Sequence, residues 1–197
     1  IILTEFLRRA KNEEGLTFWR FKIPLWCYKA YQMLLAFGFG LLCAMVTVTL
    51  SKSITGRLRP HFLTVCAPDI NCSLAENQHI YHINFNCTKN LDKPGILKNA
   101  RLSFPSGHAN FFMYCAVFFS IYLQKKMVWD GPKLFKSTIQ FLSILSAFCI
   151  GLSRISNNFH HWTDVTAGFA IGGAYAVCAN LKVLRTEASI DAASTNL

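Results

Sequence analysis

Four long stretches of this chain carry no charge. Ala30–Leu50 runs 21 residues without one, enough for a helix to cross a hydrocarbon core of about 30 Å. Leu102–Gln124 is the second run, Ser137–Ser153 the third and Val165–Leu181 the fourth. Lys52, Lys125-Lys126, Arg154 and Lys182 with Arg185 close them in turn. Between the first two runs lies a polar segment broken by Pro60, Pro68 and Pro94. The pattern predicts spanning helices over about 30–50, 107–124, 137–153 and 164–182, with an outer loop over 51–106. The fold class expected is an all-α polytopic transmembrane helical bundle, one membrane-embedded domain over residues 1–197. A helix of a soluble bundle would show a polar face at 3.6-residue spacing, and Ala30–Leu50 shows none. Gly38 and Gly40, and later Ala167, Gly168, Gly172, Gly173 and Ala174, suit close helix packing in lipid.

Charge sharpens this picture. The 197 residues carry a formal net charge of +10, which by itself would suit nucleic acid. The Lys and Arg do not form a stripe with interleaved aromatics, however; they sit at the ends of the apolar runs, so nucleic acid is not an expected partner. The basic connectors 1–29, 125–136 and 182–185 all fall on one side if the runs span, as cytoplasmic segments should. The loop on the other side holds two glycosylation sequons, at Asn71 and Asn86. Two separate cues thus give the same orientation.

Eight cysteines are scattered without a C-x-x-C pair, so no structural metal is expected. Cys43, Cys115, Cys149 and Cys178 lie inside apolar runs, where a thiol behaves as a small hydrophobe. Cys66, Cys72 and Cys87 share the outer loop and could form one disulfide with one thiol left over, if that loop faces an oxidising compartment. The chain begins at Ile1-Ile2-Leu3 rather than Met, and the expectation is a fragment of a longer protein.

Crossing parity then brings distant residues together. The first helix exits at Lys52, with Arg57 and Arg59 beyond it. The second enters at Ser106-Gly107-His108, the third exits at Arg154, and the fourth enters past His160, His161 and Asp164. All lie at one membrane face, where ionisable residues are functional candidates by default. Ser103–His108, reading Ser-Phe-Pro-Ser-Gly-His, is the mouth of an apolar helix whose free N–H groups attract anions. Arg and Lys neutralise a dianion, and Arg forks onto two phosphate oxygens. His160 and Asp164, four residues apart, share a helical face if the helix begins that early. The carboxylate would then accept from Nδ1–H and leave Nε2 free as nucleophile or base, with His108 opposite as acid. These are the parts for cleaving a phosphate ester without a metal. The plainer readings are a helix-start turn for Pro-Ser-Gly-His, loop surface for His61, His79 and His82, and lipid-facing or packing roles, rather than an acyl-chain groove, for Phe111, Phe112, Phe118 and Phe119. Arg57 falls between the matched cations and reads more simply as a surface or headgroup contact.

Three motifs make the chain recognisable: Lys52, six residues, then Arg59-Pro60; Pro105-Ser106-Gly107-His108; and Ser153-Arg154, five residues, His160, three residues, Asp164. Over roughly residues 30–185 the chain resembles the type 2 phosphatidic acid phosphatase superfamily. Gly56–Phe62, Arg101–Phe104, Gly151–Arg154 and His160–Trp162 are similar to the animal lipid phosphate phosphatases. The resemblance implies a six-helix core with an extracellular or lumenal site, of which four full spans are found here, so the first family helix is expected to be missing. It implies that His160 attacks phosphorus and forms a phosphohistidine, with Asp164 orienting its ring. His108 then protonates the departing alkoxide. Lys52, Arg59, Ser106, Gly107 and Arg154 hold the phosphate oxygens. It implies no cofactor and no metal. The substrate would be phosphatidate, lysophosphatidate, sphingosine 1-phosphate or ceramide 1-phosphate, in the plasma membrane, with membrane lipids as partners and a homo-oligomer left open. The alternative is a catalytically silent member that binds lipid phosphates or partners. Such a member would be expected to lack some motif residues, and this chain keeps them all.

Overall fold

A computed structural model describes residues 15–18, 21–71, 73–77, 80, 82, 84–127 and 133–195. Residues 1–14, Cys72, His79 and the Asp130–Pro132 turn lie outside the described residues. A short antiparallel hairpin, β1 (Gly15–Phe18) and β2 (Phe21–Pro24), precedes the helices. Then follow α1 (Leu25–Thr55), α2 (Phe62–Cys66), α3 (Pro94–Ala100), α4 (Gly107–Lys126), α5 (Lys133–Ser156) and α6 (Trp162–Thr195). The four long helices are those the uncharged runs predict. Three of them run well past the expected spans, because helical hydrogen bonding does not stop where apolar residues do. Only backbone chemistry stops α1: Gly56 takes the left-handed conformation at φ 56° and returns its N–H to the Lys52 carbonyl.

Helix α4 is the centre of the bundle, with α1, α5 and α6 all against it. Its Tyr114, Phe118 and Tyr122 are buried with Met33 and Ala44 of α1 and Ala176, Ala179 and Val183 of α6. Polar groups also join the helices: the Tyr114 hydroxyl donates to the Phe37 carbonyl, and Thr47 and Tyr175 share a hydrogen bond between α1 and α6. The outer faces are the reverse of a soluble protein. Leu35, Phe39, Leu42 and Leu50 of α1 and Phe141, Leu142, Phe148 and Leu152 of α5 are exposed, a band of apolar surface that water would penalise. Trp26–Thr55 and Leu134–Ser156 are long and apolar enough to cross a membrane, and the protein is a helical membrane bundle.

Two glycines set the closest approach. A Cβ on Gly172 of α6 would lie 2.3 Å from the Asn110 carbonyl oxygen of α4, and one on Gly168 would lie 2.5 Å from the Ser106 carbonyl oxygen. Both obstacles are backbone and cannot turn away. Gly172→Ala should therefore force α4 and α6 apart at a cost of roughly 1–3 kcal/mol. A fall of several degrees in Tm in detergent would show it, and an unchanged Tm would contradict this packing.

The segment between α1 and α4 builds a small cap of its own. Phe62, Cys66 and Ala100 are buried together, with Val65, Phe85, Cys87 and Leu97 around them. Cys66 and Cys87 are joined in a disulfide, one of the pairings the three loop cysteines allowed. Arg101 lies over the Phe62 and Phe85 rings.

Candidate functional site

The C-terminal ends of α1 and α5 and the N-terminal ends of α4 and α6 meet beside this cap, and the predicted site residues meet with them. Ser106 is the N-cap of α4. Its hydroxyl accepts from the Ala109 N–H at 3.4 Å, and its own N–H donates to the Asp164 carbonyl at 2.9 Å. One backbone bond thus joins the start of α4 to the start of α6. Ser106 is fully buried, so the capping role accounts for its hydroxyl acceptor while leaving its O–H to donate. Lys52, on the last turn of α1, rests against Gly107: a Cβ there would lie 3.4 Å from its Nζ. Gly107 and His108 form the first turn of α4, with His108 exposed. Partial burial, with the charges of Arg154, Lys52 and Arg59 adding to it, holds the His108 imidazole below its ordinary value.

Arg59 is held by the cap. Its N–H donates to the Ala100 carbonyl at 2.9 Å and its Nη2 to the Asn99 side chain at 2.9 Å. Its Nε is buried without a partner. Arg154 ends α5 with its Nε and Nη2 on the Ser153 hydroxyl. Its carbonyl accepts from the N–H groups of Phe159 and His160, which turns the chain back toward α6. Arg59 and Arg154 flank the Phe159 ring at 5.8 and 5.9 Å.

His160 lies before α6 rather than on it, since the helix begins at Trp162. The expected shared helical face is therefore a turn, closed by the Asp164 N–H on the His161 carbonyl. The outcome is close to the expected one: His160 Nδ1 is 3.7 Å from Asp164 Oδ2, in ion-pair range but longer than a hydrogen bond. Both residues are buried, at 3% and 0% exposure. Burial of the ring, with Arg59 and Lys52 close by, pushes the His160 imidazole down to about 4, against the pull of the Asp164 carboxylate and the Ser103 carbonyl.

Asp164 also has a local reason to be there. It is the third residue of α6, and its Oδ2 accepts the His161 N–H at 3.0 Å, the reciprocal half of a capping box. Three partners escaped sequence reasoning. Ser103 donates its hydroxyl to Asp164 Oδ2 at 2.5 Å. Arg57 Nη1 donates to Asp164 Oδ1 at 2.6 Å and to the Thr163 hydroxyl at 2.7 Å. His161 Nδ1 is 3.3 Å from Oδ2. Arg57, taken from sequence as a surface contact, is thus paired with the buried carboxylate. His61 is likewise engaged, its Nδ1 against the Asn158 carbonyl at 2.7 Å. Of the aromatics expected to face lipid or to pack, Phe118 packs in the bundle core, and Phe111 and Phe119 are exposed.

Lys52, Arg57, Arg59 and Arg154 therefore share this end of the bundle with the buried carboxylate of Asp164. Such an excess of fixed positive charge beside buried polar groups favours a dianion. Among the described residues no group of three or more His, Cys, Asp or Glu could hold a metal ion. Asn71 and Asn86, the sequon residues, are exposed on the same segment as the cap.

The family model described as PAP2 superfamily matches residues 33–186. Phospholipid phosphatase 1 of Mus musculus is 40% identical over 156 residues, covering 78% of this chain and 52% of its own length. Phospholipid phosphatase 2 of Homo sapiens is 38% identical over 154 residues, covering 75% and 51%. The chain spans about half the length of these curated relatives. No solved structure matches it.

Proposed function

The chain belongs to the PAP2 superfamily, and from that membership we propose that it is an integral-membrane phosphomonoesterase of lipid phosphates. The observation that carries the reading is the convergence of Lys52, Arg59, Gly107, His108, Arg154, His160 and Asp164 at one end of the bundle, from segments more than a hundred residues apart. The names of its phospholipid phosphatase relatives support the same class of substrate.

His160 Nε2 attacks phosphorus, and the bond from phosphorus to the lipid oxygen breaks. Asp164 takes the Nδ1–H side and holds the ring. His108 gives its proton to the departing alkoxide, then removes one from the water that attacks the phosphohistidine and releases inorganic phosphate. Lys52, Arg59, Arg154, the Ser106 hydroxyl and the Gly107 N–H hold the three phosphate oxygens, whose charge is greatest in the transition state. A site at helix ends meets a headgroup while the acyl chains stay in the bilayer. The substrates are phosphatidate, lysophosphatidate, sphingosine 1-phosphate or ceramide 1-phosphate. The side we propose for the site is extracellular or lumenal, and the membrane the plasma membrane; the basic connectors 125–136 and 182–185, which would lie on the opposite side, support that orientation. The Cys66–Cys87 disulfide and the sequons at Asn71 and Asn86 suit that side.

The test is phosphate release from a lipid phosphate by the full-length protein in detergent, with EDTA present, together with trapping of a phosphorylated His160. Turnover that needs a divalent metal, or lipid binding with no turnover, would overturn the reading; the second result would favour a silent, binding member of the family. The pH profile has a definite sign. His160 attacks only as neutral imidazole, and burial holds its pKa near 4. Activity attributable to the nucleophile should therefore persist well below pH 6 and fall only as the ring gains its proton. A nucleophile limb at the ordinary histidine pKa of about 6.5 would show that His160 is not held as described.

A further inference from the structure

Asp164 is gripped by more donors than the proposed chemistry uses. Arg57 Nη1 holds Oδ1, while the Ser103 hydroxyl and the His161 N–H hold Oδ2. These three donors come from three separate segments: the exit of α1, the approach to α4 and the start of α6. Oδ2 is also the oxygen 3.7 Å from His160 Nδ1, which is itself buried without a hydrogen-bond partner. Ser103 and the His161 N–H already fill the two lone-pair sites of Oδ2, so at 3.7 Å His160 Nδ1 meets this oxygen as an electrostatic neighbour rather than as a hydrogen-bond donor.

We propose that Arg57 and Ser103 are positioning residues for this reaction, together fixing the Asp164 carboxylate so that Oδ2 faces His160 Nδ1. A carboxylate free to turn about its Cβ–Cγ bond would present either oxygen at any angle. Arg57 on one oxygen and Ser103 on the other remove that freedom. Arg57 has a second effect. A bare buried carboxylate would draw a proton onto the neighbouring imidazole, and imidazolium cannot attack. The guanidinium offsets that pull, so the ring is oriented and stays neutral. The other charged and titratable groups around the carboxylate are His161 beside it and, further off, Lys52 and Arg59. Thr163 anchors Arg57 from the same turn as Asp164. The guanidinium is partly exposed, with 40% of the side chain accessible, so the competing role is direct phosphate binding.

The inference rests on the phosphohistidine reading, and the experiment separates the two. The full-length protein would be compared with Arg57→Gln, Arg57→Lys and Ser103→Ala. Arg57→Gln and Ser103→Ala should lower kcat by roughly 10–100-fold, the scale of a misplaced reacting group, with KM little changed. In Arg57→Gln the acid limb of kcat/KM should rise by roughly one pH unit, because the carboxylate is no longer offset. Arg57→Lys, which restores the charge, should return the limb toward wild type. A rise in KM with kcat retained would make Arg57 a phosphate ligand and overturn the proposal, as would an unmoved limb. NMR titration of the His160 ring in detergent micelles gives the same reading without turnover. A shift in Arg57→Gln with an inactive wild type would sink the phosphatase reading and keep the positioning role, and no shift would sink the positioning role alone.

Discussion

His160→Ala is expected to lower phosphate release by roughly 10⁴–10⁶-fold, the range seen when a covalent nucleophile is removed from a site whose binding groups remain. His161, whose Nδ1 is 3.3 Å from the same Asp164 oxygen, is 36% exposed where His160 is buried, and His108 lies on the first turn of α4. The fold should survive, since the His160 backbone is held by the Arg154 carbonyl and not by its ring. Helical content and Tm in detergent measure that, and trapping with a labelled lipid phosphate reads the chemistry. The alanine variant should bind substrate and form no phosphoprotein. Phosphate release within tenfold of wild type would rule out attack by His160.

His108→Ala should cost roughly 10²–10⁴-fold on a lipid phosphate, the usual worth of a positioned general acid. The loss should depend on the leaving group, which no purely structural defect would reproduce. An alkoxide needs a proton to depart, whereas an aryl oxide does so far less. On an aryl phosphate the variant should recover most of its rate of phosphoenzyme formation, and the breakdown step, which needs water activated by the same ring, should become limiting. A burst of aryl alcohol followed by slow turnover is the expected trace. Equal losses on both substrates would remove His108 from the acid role. The geometry favours the role because His108 is exposed and makes no hydrogen bond among the described residues, so its ring is free to serve the substrate.

Much of this arrangement could be read in the sequence, and the reason is the bilayer. Charges are costly inside it, so Lys52, Lys125 and Arg154 lie in the last turns of their helices while Lys182 closes only the apolar run of α6, and crossing parity groups the residues near those ends. Local rules served less well at the site itself. The four-residue spacing of His160 and Asp164 suggested one helical face, but the capping turn starts α6 at Trp162 and leaves His160 before the helix. The donors to Asp164 were hidden for a different reason. Ser103 and Arg57 lie 61 and 107 residues away from it in sequence. A serine or arginine in a loop carries no mark of the carboxylate it will meet. The Cys66–Cys87 pairing was open for the same reason, as spacing does not choose among three loop cysteines.

Asp164 has a consequence for how this protein comes into being. Its backbone carbonyl receives the Ser106 N–H, its side chain receives Ser103 and Arg57, and the same side chain caps its own helix. The joints that close the bundle at this end are the joints that arrange the reacting groups. A chain with α6 not yet docked therefore has no weakened version of the site; it has separate motifs and no site at all. On the proposed function, newly made copies would stay chemically silent toward lipid phosphates during insertion, and activity would switch on as α6 docks. Turnover per molecule is then also a count of the molecules that have finished assembling.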